Sequence, residues 1–192
     1  MSAKPADGGK MDLTLVSIVI GLGLTELLLT FYRLVRDRRR VAWDALPLAW
    51  ALLILIAVVN CWWGIRAIMA SASGWTTGDF MVSMIAPIFL FLACAAALPN
   101  VTPGEPADMK ALYAEHRLAF LIFFLGYQMG NWVLDASGLT GGWPPLVVLV
   151  HRSAVCVALV IALIARSRRW DWAAVAVVAV AYALRLFTQI AK

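Results

Sequence analysis

Apolar residues run almost unbroken through six stretches, residues 13–32, 46–65, 80–98, 118–134, 146–165 and 173–190, parted by short clusters of Arg, Asp, Gly and Pro. Each stretch is close to the roughly 20 residues an α-helix needs to cross a hydrocarbon core of about 30 Å at about 1.5 Å per residue. None shows the period-two alternation of a membrane barrel strand, so helices are the spanning form that remains. The pattern predicts an all-α polytopic membrane bundle: six transmembrane helices in a single domain over 13–192. Residues 1–12, polar and holding Pro5, Gly8 and Gly9, read as a disordered external tail without the basic run of a signal peptide.

Composition removes the soluble alternative. The apolar set makes up 63% of 192 residues and the charged set 14%, with a mean hydropathy of +0.85. Soluble domains run near half apolar and a quarter charged, and a chain of 21.0 kDa has too little interior to hide this much hydrocarbon.

Lysine and arginine set the expected orientation. Arg33, Arg36, Arg38, Arg39, Arg40, Lys110, Arg117, Arg166, Arg168 and Arg169 fall at one end, against Lys4, Lys10, Arg66 and Lys192 at the other. The first end is expected to be cytoplasmic and both termini external, in a bacterial inner membrane. The net charge of +5 then answers to topology and anionic lipid rather than to nucleic acid. The segments RRRVAWDAL (residues 38–46) and RSRRWDWAA (residues 166–174) echo each other. A cytoplasmic turn that wants arginine, tryptophan and a capping aspartate accounts for both.

Close helix contacts, within one chain or between chains, are expected where small residues recur every fourth position, at Ser17, Gly21 and Thr25 and at Gly126 and Gly130. Pro87 should kink the third span. Asp108 is a candidate cap for the fourth.

The costly residues are the polar ones inside the spans. After Arg152 only thirteen residues, 153–165, precede the next arginine, too few to cross. The fifth helix must therefore run back through Arg152 and His151 toward Pro144 and Pro145, which leaves Arg152 about 9 Å below the external boundary. Asn60, Asn131 and Arg185 count to similar depth and Gln128 slightly deeper. Gln128, Asn131 and Asp135 share one helical face, as do Tyr182, Arg185 and Gln189.

Three readings of this layer are open. Arg152 and Arg185 pair with Asp135 and Asp79 and fix helix order. Alternatively, Arg152, Arg185, Asn131, Gln128, Asn60 and His151 bind or pass a small ion or solute, most simply an anion. The third makes the layer a contact surface for partner subunits, the chain being a structural or accessory component of a membrane complex. Glu26, about 20 Å below the external end of the first span, is a separate candidate for a proton or cation site.

No catalytic motif is present, the two histidines lie at opposite ends of neighbouring spans, and Cys61, Cys94 and Cys156 occur singly. Neither enzyme, metal nor cofactor is expected. The runs VSIVIGLGLTELL, NCWWG, PIFLFLACAAALP and YAEHRLAFLIFF, over roughly residues 15–125, resemble a group of small bacterial multi-pass inner-membrane proteins. The resemblance implies six helices in a cytoplasmic membrane and no particular activity; the group would carry a basic residue where this chain has Glu26. The layout is also vaguely similar to bacterial six-helix potassium channels of the lysosomal type, but the Phe-Ser-Asp signature on the first helix is missing. A bundle this small is expected to need copies of itself or a partner subunit, besides lipid, to enclose a wide path.

Overall fold

The structure, a computed structural model, describes residues 8–71, 76–98, 106–140 and 144–190. It consists of six helices, α1 (Gly8–Arg36), α2 (Ala45–Ser71), α3 (Thr77–Ala97), α4 (Met109–Ala136), α5 (Leu146–Ala165) and α6 (Arg168–Ile190). Two short strands, β1 (Val41–Ala42) and β2 (Ala107–Asp108), join them. The all-α bundle expected from the apolar pattern is the one found. Helices α1 to α5 are long and apolar enough to cross a membrane. Helix α6 matches them in length at 23 residues but holds Arg168, Arg169 and Asp171 in its first turn and Arg185 further on, so by apolar content it is the marginal one. Helix α1 begins at Gly8, inside the stretch expected to be a disordered tail; residues 1–7 lie outside the described residues.

Helix boundaries follow local chemistry. The Asp44 carboxylate accepts the Leu46 amide at 3.1 Å and opens α2. Thr76 and Asp79 form a reciprocal capping box at α3. Asp108 accepts the amides of Lys110 at 2.9 Å and Ala111 at 3.4 Å, so the expected cap of α4 is present. Helix α5 follows Pro144 and Pro145 and ends on Arg166, whose φ of 46° is left-handed.

Helix α3 lies between α1 and α4, α2 lies across α1, α3 and α6, and α5 closes the layer against α4 and α6. Glycine sets the closest approach. A Cβ on Gly130 would stand 2.9 Å from the Ala86 backbone, so α3 and α4 touch main chain to side. On α1 the close approach within the chain is at Gly23, which meets Phe91 Cα at 3.2 Å, while nothing lies within 4 Å of a Cβ placed on Gly21. The face α1 turns to α3 is thus rotated from the one marked by Ser17, Gly21 and Thr25. Pro87 lies buried within α3, and the helix runs on through it to Ala97.

Trp50, fully buried, sits edge-on to Phe120 at 5.2 Å and to Phe124 at 6.0 Å and anchors the core. The outside is apolar as well. Leu146 is 74% exposed and Ile164 76%, at the two ends of α5, which is the inversion expected when the solvent is lipid. At the arginine-rich end β1 and β2 form a parallel two-residue ladder, Val41 opposite Ala107 and Ala42 opposite Asp108.

Candidate functional site

Two small adjoining cavities lie at the end of the bundle opposite the arginine-rich turns. The larger, about 50 Å³, is lined by residues that include Asn60, Asn131, Asp135, Arg152 and Arg185. The smaller, about 10 Å³, takes in Gln128, His151, Arg152, Tyr182 and Arg185. The six residues singled out as a polar layer therefore converge, from α2, α4, α5 and α6. The spacing of three and four on α4 puts Gln128, Asn131 and Asp135 on one face. Ala86 supplies a wall of the larger cavity because Gly130 lets α3 come close.

The hydrogen bonds define what this layer offers. Arg152 donates from Nη1 to Asp135 Oδ2, joining α5 to α4, and both side chains are largely buried. Asn60 donates to the Ile56 carbonyl at 2.9 Å and Asn131 to the Tyr127 carbonyl at 2.8 Å. Each asparagine thereby commits one amide N–H to its own helix and keeps the other N–H and the oxygen. His151 Nδ1 lies 3.0 Å from the Val147 carbonyl. Tyr182 is 5% exposed and its hydroxyl, beside the Gln128 amide, has no partner in hydrogen-bond geometry. Two guanidiniums and one carboxylate face the shared space. A volume of about 50 Å³ has room for a few waters.

Asp79 is elsewhere. Expected as an ion-pair partner of the arginines, it is held in the α3 capping box, accepting from the Thr76 amide at 2.9 Å and the Thr76 hydroxyl at 2.8 Å. A first-turn carboxylate satisfies the orphan amides locally before a distant guanidinium can claim it. Glu26 is half-buried in the middle of α1 and lines neither cavity. Tyr182, Tyr127, Cys61 and Thr140 also line the space; of these only Tyr182 left a trace in the sequence, through its spacing with Arg185.

A second polar cluster lies at the arginine-rich end. Arg117 on α4 donates to Asp171 on α6 through Nε at 2.8 Å and Nη2 at 2.7 Å, and also reaches the Ala162 carbonyl of α5. Arg168 grips Asp44 with both terminal nitrogens, one bond being 2.7 Å. That hydrogen bonding, ahead of the opposing effect of burial, holds the Asp44 carboxyl below its usual value. Trp50 Nε1 and Tyr113 Oη, both buried without hydrogen-bond partners, adjoin this cluster. The aspartates expected as turn caps are thus inter-helix anchors, and Asp44 caps α2 as well.

Among the described residues no group of three or more His, Cys, Asp or Glu is placed to hold a metal ion. No protein-family model, curated protein or solved structure matches this chain.

Proposed function

We propose that this protein is an integral membrane protein that admits a small inorganic anion to the polar layer formed by Arg152, Arg185, Asn60, Gln128, Asn131 and His151. The observation that carries the reading is the convergence of two guanidiniums and one carboxylate on a cavity of about 50 Å³. The lining has an excess of cationic donors, which suits an anion, and the Tyr182 hydroxyl is a further donor in need of a partner. By the positive-inside rule the arginine-rich end is cytoplasmic and the layer opens to the outside of a bacterial inner membrane. Copies of the chain assembled side by side would supply the walls that one small bundle lacks.

The test is anion flux into liposomes reconstituted with the full chain, with chloride and nitrate as probes. Wild-type protein is expected to conduct above empty liposomes and Arg185→Gln to abolish conduction while the helical circular dichroism stays unchanged. Flux equal to that of empty liposomes, or flux unchanged by the substitution, overturns the reading.

The Asp135–Arg152 pair favours a second reading. It closes α4 on α5 with both charges spent on each other, as in a layer that fixes helix order for an accessory subunit of a larger complex. Native mass spectrometry of membrane-extracted protein separates the two. A stoichiometric foreign subunit supports the accessory role, and a homo-oligomer supports the first reading.

A further inference from the structure

A groove of about 330 Å³ runs between the arginine-rich halves of α1 and α2, lined by Leu28 and Phe31 on one side, Leu48, Leu52 and Leu55 on the other, with Leu98 at its end. It is open to the surroundings: Leu52 is 59% exposed, Leu28 50% and Phe31 43%. The turn that joins these helices carries Arg36, Arg38, Arg39 and Arg40, all exposed. Backbone bonds hold that turn, from Asp37 N to Arg33 O at 3.1 Å, from Arg40 N to Asp37 O at 2.8 Å and from Ala107 N to Arg40 O at 3.0 Å. Trp43 adds an indole bond to the Arg38 carbonyl at 3.4 Å. Of the two acids in the turn, Asp37 faces Arg36 at 3.5 Å and Asp44 is held by Arg168 of α6.

Depth relates the two features. From Phe31 to Arg36 the helix rises about 7.5 Å, and the polar region of each leaflet is roughly 5–8 Å deep. The arginines therefore stand at headgroup level where the groove lies at the start of the acyl chains. A second copy of the chain fits poorly, because seating it here brings one arginine turn against another. An anionic headgroup meets the arginine cluster, and its chain fills a slot that no other described residue covers.

We propose that the α1–α2 groove and its arginine turn form a binding site for one anionic phospholipid. Its phosphate accepts hydrogen bonds from Arg38, Arg39 and Arg40, and one acyl chain lies between Phe31 and Leu52. Arg36, occupied with Asp37, borders the site.

The test is native mass spectrometry of the full chain in detergent, incubated with equal amounts of phosphatidylglycerol and phosphatidylcholine of identical chains. Wild type is expected to retain one phosphatidylglycerol per chain in preference to phosphatidylcholine. The triple change R38Q/R39Q/R40Q should weaken retention about a hundredfold, at roughly a factor of five per arginine. Leu52→Trp, which fills the slot from an exposed position, should displace the lipid without loss of helical circular dichroism. Three results overturn the proposal: equal retention of the two lipids, retention untouched by Leu52→Trp, or a dimer that Leu52→Trp dissociates. Displacement by inorganic phosphate alone does so too, since a free anion needs no groove.

Discussion

Arg117 and Asp171, 54 positions apart in the chain, meet through two parallel guanidinium–carboxylate bonds of 2.8 and 2.7 Å between α4 and α6. The Asp171 side chain is 2% exposed and that of Arg117 13%, and the same guanidinium reaches the α5 carbonyl of Ala162. One side chain thus holds three helices at the arginine-rich end.

Removing one member of such a pair strands the other charge out of water, which costs about 3–5 kcal/mol, whereas replacing both by apolar residues of similar volume is often nearly neutral. Asp171→Leu alone is therefore expected to destabilise strongly, and Asp171→Leu with Arg117→Met to recover most of the loss. Unfolding by SDS titration, run as a double-mutant cycle, checks this. Additive losses would show that the two residues act independently.

Gly130 and Gly21 give opposite expectations for the same change. Gly130→Ala sets a methyl 2.9 Å from the Ala86 backbone, so α3 and α4 must part and the cavity wall formed by Ala86 shifts; a cost of about 1–3 kcal/mol is expected. Gly21→Ala meets open space and trades a poor helix former for the best one, a gain of up to about 1 kcal/mol. The same SDS titration ranks the two variants, and equal effects would contradict the helix contacts described above.

Acid should loosen the Asp44–Arg168 tie. The Asp44 carboxyl lies below its ordinary value of 3.8 in the folded protein, so its stabilising contribution is fully present above about that pH and is lost as the pH falls through the folded value. Asp44→Asn is expected to be less stable than wild type at neutral pH, with the gap narrowing below pH 3.8. Thermal unfolding in detergent across that range tests it. The absence of any gap would assign Asp44 to α2 capping alone, since asparagine caps as well as aspartate.

Much of this was readable in the chain because lipid makes polarity expensive. The shortness of residues 153–165 placed Arg152 inside α5, and counting residues brought Asn60, Gln128, Asn131 and Arg185 to its level before any packing was known. The partner of Asp79 was not readable in the same way, because two acids, Asp79 and Asp135, stood near the same boundary and only local capping decided between them. The arginine-rich end hid most. Topology explains every arginine there without further structure, so nothing set Arg117 and Arg168 apart from Arg38 to Arg40. The trace that existed was the repeated aspartate of RRRVAWDAL and RSRRWDWAA, Asp44 and Asp171. Its meaning needs partners 124 and 54 positions away, a distance that local pattern does not span. The row Ser17, Gly21, Thr25 shows a related limit: spacing identifies a narrow face, and which neighbour, in the same chain or another, uses it is not written in the spacing.

The ladder between β1 and β2 constrains how the protein can be built. Residues 41 and 42 bond to residues 107 and 108, so the turn after the first helix stays open at the ribosome until the third helix has been made and the fourth is about to begin. Asp44 waits longer, for Arg168, and Arg117 for Asp171. The arginine-rich end is therefore stitched shut only as the sixth helix starts to emerge. A nascent chain halted before that point would hold its early helices with Asp44 and Arg117 still waiting for their partners on the last helix.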